Sequence, residues 1–188
     1  MRARWPDVVI LDGEMPNTDL ATFVRRIMLT HPTPVIVCAS DTSPQAPLAR
    51  AVLAAGAAAL VARVKEEYGA LLSGICYRIE NPALFDPADT AAKRLATALI
   101  RWDDGQGRLD PSELSVAAAE VRVAFDAAKS HAETVGMAYL PKGAQPKAQT
   151  ALKAARLARS TKAPAERAAA LRQVSAILDN SCRRVARR

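Results

Sequence analysis

Pro6-Asp7-Val8-Val9-Ile10-Leu11-Asp12-Gly13-Glu14-Met15-Pro16 is the stretch on which the fold turns. Val8 to Leu11 are four consecutive apolar residues, three of them β-branched, and the run ends in the acid Asp12. An unbroken apolar run of this length suits a strand of a parallel sheet that is buried on both faces, where alternation with polar residues is not needed. Gly13 and Pro16 mark the turn that follows. An aspartate at the C-terminal end of such a strand projects into the crevice above the sheet, where phosphate-bearing ligands can approach.

Working outward, Pro34-Val35-Ile36-Val37-Cys38 reads as a second strand and Ala58-Ala59-Leu60-Val61-Ala62 as a weaker third. Asp19–Leu29 lies between the first two, with Leu20, Phe23, Ile27 and Met28 at helical spacing and Pro32 and Pro34 closing it. Gln45–Ala55, ending at Gly56, is expected to be the helix before the third strand. Strand–helix–strand–helix–strand over about sixty residues describes two right-handed crossover units. After Arg63 the strand signal stops. Lys65–Ile79 reads as a helix, and Asn81-Pro82 and Asp86-Pro87 punctuate a linker. Ala88–Trp102, Ser112–Val135, Lys147–Ser160 and Pro164–Arg187 then read as four helices forming a hairpin pair or small bundle. Asp110-Pro111 supplies a cap and a first-turn proline for the second of them. The expected division is an α/β region over 1–80 and an all-α, alanine-rich, basic region over 81–188.

The motif through Pro16, with its continuation through Asp19, Thr22-Phe23, Arg26-Ile27-Met28 and Thr33-Pro34-Val35-Ile36-Val37-Cys38, resembles the phosphorylation motif of response-regulator receiver domains, most of all the chemotaxis methylesterase subfamily. The likeness covers about sixty residues. It implies a partial flavodoxin-like parallel sheet, with Asp12 as the residue that accepts a phosphoryl group from a histidine kinase. Such transfer uses a divalent metal to offset charge on the phosphoryl oxygens. By the same resemblance, Mg2+ would take one contact from Asp12 and one from the backbone carbonyl of Glu14.

Several positions depart from the pattern. The resemblance places Met1 just before what would be the third strand, so the acidic pair that completes the metal site is not expected in this chain. The switch Ser/Thr position falls on Ala39, with Ser40 adjacent. The phosphate-contacting lysine falls on Arg63, which keeps the charge but not the reach or geometry. These departures favour Asp12 as an inherited acid at a strand end over a working phosphoacceptor. The methylesterase reaction needs a serine nucleophile, a histidine base and a supporting acid. Neither His31 nor His131 sits in a comparable motif, and both read as surface or capping residues. No enzymatic activity is expected.

Trp102-Asp103-Asp104-Gly105-Gln106-Gly107-Arg108-Leu109-Asp110-Pro111-Ser112-Glu113 resembles an EF-hand calcium loop. Asp104, Gln106 and Glu113 stand at side-chain ligand places. Its first place holds Trp102, which cannot bind a hard cation, and the alternative is a glycine turn followed by a capped helix. Cys182-Arg183-Arg184 lacks the second cysteine and the histidine of a haem-attachment motif, so no haem is expected.

Lys142 to Arg188 holds 12 basic and two acidic residues, a balance of +10, against −3 for the residues before it. The pI near 9.7 is therefore a property of the C-terminal region. Such a surface suits nucleic acid or an acidic partner, or is simply solvated. Cys38, Cys76 and Cys182 are few and widely spaced, which fits a reducing compartment. No apolar run is long enough to span a bilayer. A cytoplasmic protein without membrane contact is expected. Its function reads as a degenerate receiver-like signalling module of a chemotaxis phosphorelay, acting through contacts with a histidine kinase or chemotaxis protein. The alternative is a basic helical binding protein with the α/β half as scaffold. Either way an apolar sheet edge needs covering, by the C-terminal helices or by a second copy in a homodimer.

Overall fold

The computed structural model describes residues 6–12, 19–31, 33–38 and 46–185. Strand β1 (Val9–Asp12) leads through helix α1 (Leu20–Thr30) to strand β2 (Val35–Cys38). Six further helices follow: α2 (Ala46–Ser73), α3 (Ile75–Glu80), α4 (Thr90–Gly105), α5 (Pro111–Val135), α6 (Gln145–Ser160) and α7 (Pro164–Val185). Short 3-10 turns occupy Pro82–Phe85 and Gly136–Tyr139. The chain forms two compact units, Met1–Glu67 with Arg94–Phe125, and Tyr68–Lys93 with Asp126–Arg188. The expected boundary at 80/81 falls inside the second unit.

In the first unit β1 and β2 pair in parallel, with Val9 opposite Val35 and Asp12 opposite Cys38. The Val9 amide donates to the Pro34 carbonyl at 2.8 Å, fixing this register from its start. Asp19 caps α1 by accepting the Thr22 amide at 3.0 Å, which satisfies a donor that the first turn leaves without an intrahelical partner. Alternation along the strands sends Leu11 inward against Leu20 and Val24 of α1 and Val52 of α2, with Val9, Val35 and Val37 beside them.

The third strand is not formed: Ala58–Ala62 lies in the middle of the 28-residue helix α2. Alanine carries the best helix propensity, and a run in which Val61 is the only β-branched residue has little to gain from a sheet. Gly56 does not stop the helix either. It is buried, and a Cβ built on it would meet the Val24 Cγ1 at 3.0 Å. The glycine is there for the close approach of α2 to α1. The helix ends instead at Ser73, where Gly74 leads into α3.

In the second unit α6 and α7 form an antiparallel hairpin. Ala151, Leu152, Ala154 and Ala155 of α6 pack with Val174 of α7 and with Cys76 and Ile79 of α3. Small side chains let these helices approach closely, at the expense of buried area per residue. The expected linker around Asn81-Pro82 is structured rather than loose. Pro82 opens the 3-10 turn, and Ala83 and Leu84 within it are buried. From α4 onward every regular element is helical, as the sequence indicates.

Candidate functional site

Asp12 closes β1 on the face opposite to Leu11, in line with Val8 and Ile10 of its own strand and beside Ile36 and Cys38 of β2. That face is open. Ile10 is 65% exposed, Ile36 50% and Val8 43%, and Asp12 and Cys38 are exposed with them. A parallel sheet usually has helices on both faces, so this apolar surface is exceptional for its class.

Arg63 does not stand at a strand end. It lies in α2, and its guanidinium donates to the Leu29 carbonyl in the last turn of α1. A cation at a helix C-terminus satisfies an orphan carbonyl and faces the negative end of the dipole. In a β–α–β crossover the C-terminus of α1 lies at the start of the strands. Arg63 is therefore at the end of the sheet away from Asp12. Glu14, Ala39 and Ser40 lie outside the described residues. Among the described residues no group of three His, Cys, Asp or Glu side chains gathers as a metal site would need. Among the described residues a single strand-end carboxylate is too few ligands for a Mg2+ site.

The second motif is built as a turn and a cap. Trp102 is buried, and Asp103 pairs with Lys65 at 2.7 Å. Asp104 is exposed, and Gln106 reaches Asp103 at 3.5 Å. Gly107 takes φ 80°, the left-handed conformation in which glycine is at ease, and the amides of Arg108 and Leu109 return to the Gly105 carbonyl. Asp110 Oδ1 then accepts the amides of Ser112 (2.7 Å) and Glu113 (3.0 Å), while Glu113 Oε2 accepts the Asp110 amide at 3.0 Å. This reciprocal capping box uses the Glu113 carboxylate on its own helix rather than turning it toward Asp104 and Gln106. The Ser112 hydroxyl and the two amides hold the Asp110 carboxyl below the ordinary aspartate value.

A polar cluster in the second unit was not visible in the sequence. The Tyr139 hydroxyl donates to Asp86 Oδ2 at 2.8 Å, and this hydrogen bond, with some burial, pushes the phenol up to about 12. His131 Nε2 lies 3.2 Å from Asp89 Oδ2, on a carboxylate only 9% exposed. Burial pushes the Asp89 carboxyl up, but the amides of Ala92 and Ala91 and the His131 ring outweigh it and hold the group below its ordinary value. Partners 53 and 42 residues apart carry no local signature. The only hint was the Asp86-Pro87 turn followed by an acid at a helix start.

On the α6–α7 hairpin Lys147, Lys153, Arg159, Lys162 and Arg172 are exposed, whereas Arg156 is paired with Glu80 and Arg167 donates to the Thr161 carbonyl. Arg183 and Arg184 lie in the last turns of α7, and Arg187 and Arg188 lie outside the described residues. Among the described residues no helix is long and apolar enough to cross a membrane.

Comparison with known proteins finds relatives for about a third of the chain. The chain is 51% identical over 63 residues to protein-glutamate methylesterase/protein-glutamine glutaminase 1 of Chromobacterium violaceum, and 44% identical over 63 residues to that organism's protein of the same name numbered 2. It is 49% identical over 63 residues to protein-glutamate methylesterase/protein-glutamine glutaminase 1 of Xanthomonas oryzae pv. oryzae. Each match covers 34% of this chain and 18% of the relative, so the chain spans less than a fifth of the length of these curated relatives. No protein-family model and no solved structure matches the chain. About a third of the chain is thus similar to a response-regulator receiver region. More particularly, the similarity is to the chemotaxis methylesterase type, and the match fits a non-catalytic part of those proteins.

Proposed function

We propose that the first unit is a degenerate receiver-derived signalling module that acts by protein contact and does not itself catalyse ester hydrolysis. The observation that carries this reading is the open apolar face of the β1–β2 sheet, with Val8, Ile10 and Ile36 exposed around Asp12. An uncovered apolar patch beside a polar rim is what a protein partner's surface fits. The partner on this reading is a histidine kinase or another chemotaxis protein in a cytoplasmic phosphorelay, a choice that the partial likeness to protein-glutamate methylesterases supports. The departures at the switch and phosphate-contact positions, and the distance of Arg63 from Asp12, support contact rather than phosphoryl transfer as the working principle. The test is titration of a purified chemotaxis histidine kinase against the wild type and Ile10→Asp. Burial of a charge in an apolar interface should weaken binding at least tenfold, and equal binding by both proteins refutes the reading.

A second reading rests on the five exposed cations of the α6–α7 hairpin, which have no acidic partner among the described residues. If the hairpin binds nucleic acid, affinity for a DNA duplex falls steeply between 50 and 200 mM salt. A flat salt response dismisses this reading and leaves the first untouched.

A further inference from the structure

In the first unit a half-open pocket of about 140 Å³ lies between α1, β2, α2 and α5. Val24 and Met28 come from α1, Val35 and Val37 from β2, Leu60 and Gly56 from α2, and Ser115 and Ala118 from α5. The lining is apolar except for Ser115, and the Ser115 hydroxyl already donates to the Pro111 carbonyl of its own helix at 2.9 Å. The Ser115 oxygen keeps only acceptor capacity, so the pocket offers a ligand no side-chain donor and is otherwise apolar. Apolar space of about this volume is enough for a benzene-sized guest.

The space follows from the sequence. Gly56 lets α2 come close to Val24, and a side chain there would occupy the gap or push α1 away. Ala57 of α2 and Ala118 of α5 are buried small residues where larger ones would fill the space. We infer that this pocket is a binding site for one small, uncharged, apolar molecule of the size of a single aromatic ring. The site is distinct from the open sheet face. Val35 and Val37 line it from the side of the strands opposite to Ile36 and Asp12.

Methyl-selective NMR of the full chain during a benzene titration reads the site directly. Saturable shifts are expected at Met28, Val37, Val52 and Leu60, with none at Leu152 or Val174 of the second unit. Ligand at tenfold over its Kd should raise Tm by about 3–6 °C. Benzoate, with the same ring and a charge that cannot be buried unpaired, should do neither. Ala118→Leu fills the space from α5 and should abolish the shifts. Ser115→Leu, at a half-buried position of the same helix, should do so if Ala118→Leu does not fold. Absence of saturable shifts in the wild type overturns the proposal. So does benzoate binding as well as benzene, or benzene shifts that persist in a folded filled variant.

Discussion

Replacing Gly56 and Gly69 by alanine, one at a time, separates backbone propensity from packing on the same helix. Both glycines lie inside α2, where alanine is favoured over glycine by about 1 kcal/mol. At Gly69 a Cβ meets nothing within 4 Å, so Gly69→Ala should stabilise by about 0.5–1 kcal/mol. At Gly56 the Cβ meets Val24 Cγ1 at 3.0 Å. Val24 is only 2% exposed and β-branched, so it cannot turn aside without leaving its rotamer. Overpacking of this kind costs about 1–3 kcal/mol, partly relieved here because Val24 borders the pocket. The propensity gain offsets part of that, leaving Gly56→Ala net destabilising by about 1 kcal/mol. In a chain of this length the two variants should differ in Tm by roughly 3–8 °C, with opposite signs relative to wild type. Circular dichroism melts and urea titrations at 222 nm measure both. Equal stabilisation by the two alanines would refute the close approach of α1 and α2, and with it the packing that replaces the third strand.

The second unit offers predictions of its own. Asp89→Asn removes the paired carboxylate at the start of α4 and should destabilise by about 1–2 kcal/mol at neutral pH in urea titration. The folded Asp89 carboxyl lies below its ordinary value, so its contribution is full above the unfolded aspartate value of about 3.9 and is lost as pH falls through the folded value. That acid-side slope should shrink in the variant. Tyr139→Phe should cost about 1 kcal/mol and remove the tyrosinate absorbance step near pH 12 from an ultraviolet titration. Because the folded phenol is raised, the stability contributed by Tyr139 is full below pH about 10 and is lost as pH rises from there toward about 12. Arg63→Gln should lower Tm by no more than a few degrees, as the loss of a cap on α1 would, and leave any partner affinity of the sheet face unchanged.

The parts of the fold that could be read from the sequence are those in which one local signal decides. The apolar runs at Val9–Asp12 and Val35–Cys38, the Asp19 and Asp110 caps and the proline starts of α5 and α7 each fix an element without help from distant residues. Ala58–Ala62 could not be settled in this way. A short apolar run rich in alanine fits a buried strand and a buried helix equally by pattern, and the packing of α2 on α1 decides it. The error carried over to Arg63, whose expected place depended on that strand. The openness of the sheet was hidden for another reason. Strands that are apolar at every position look two-sided, and which face stays uncovered depends on helices far along the chain. The Asp86–Tyr139 and Asp89–His131 pairs are long-range by nature and left no spacing to read.

On the proposed function, a receiver-type strand end is kept here in a unit that works by contact. Incubation of the folded wild type and Asp12→Asn with radiolabelled acetyl phosphate and magnesium tests it most directly. No label above background is expected in either protein. Label that appears in the wild type and disappears in Asp12→Asn would contradict it and make Asp12 a working phosphoacceptor.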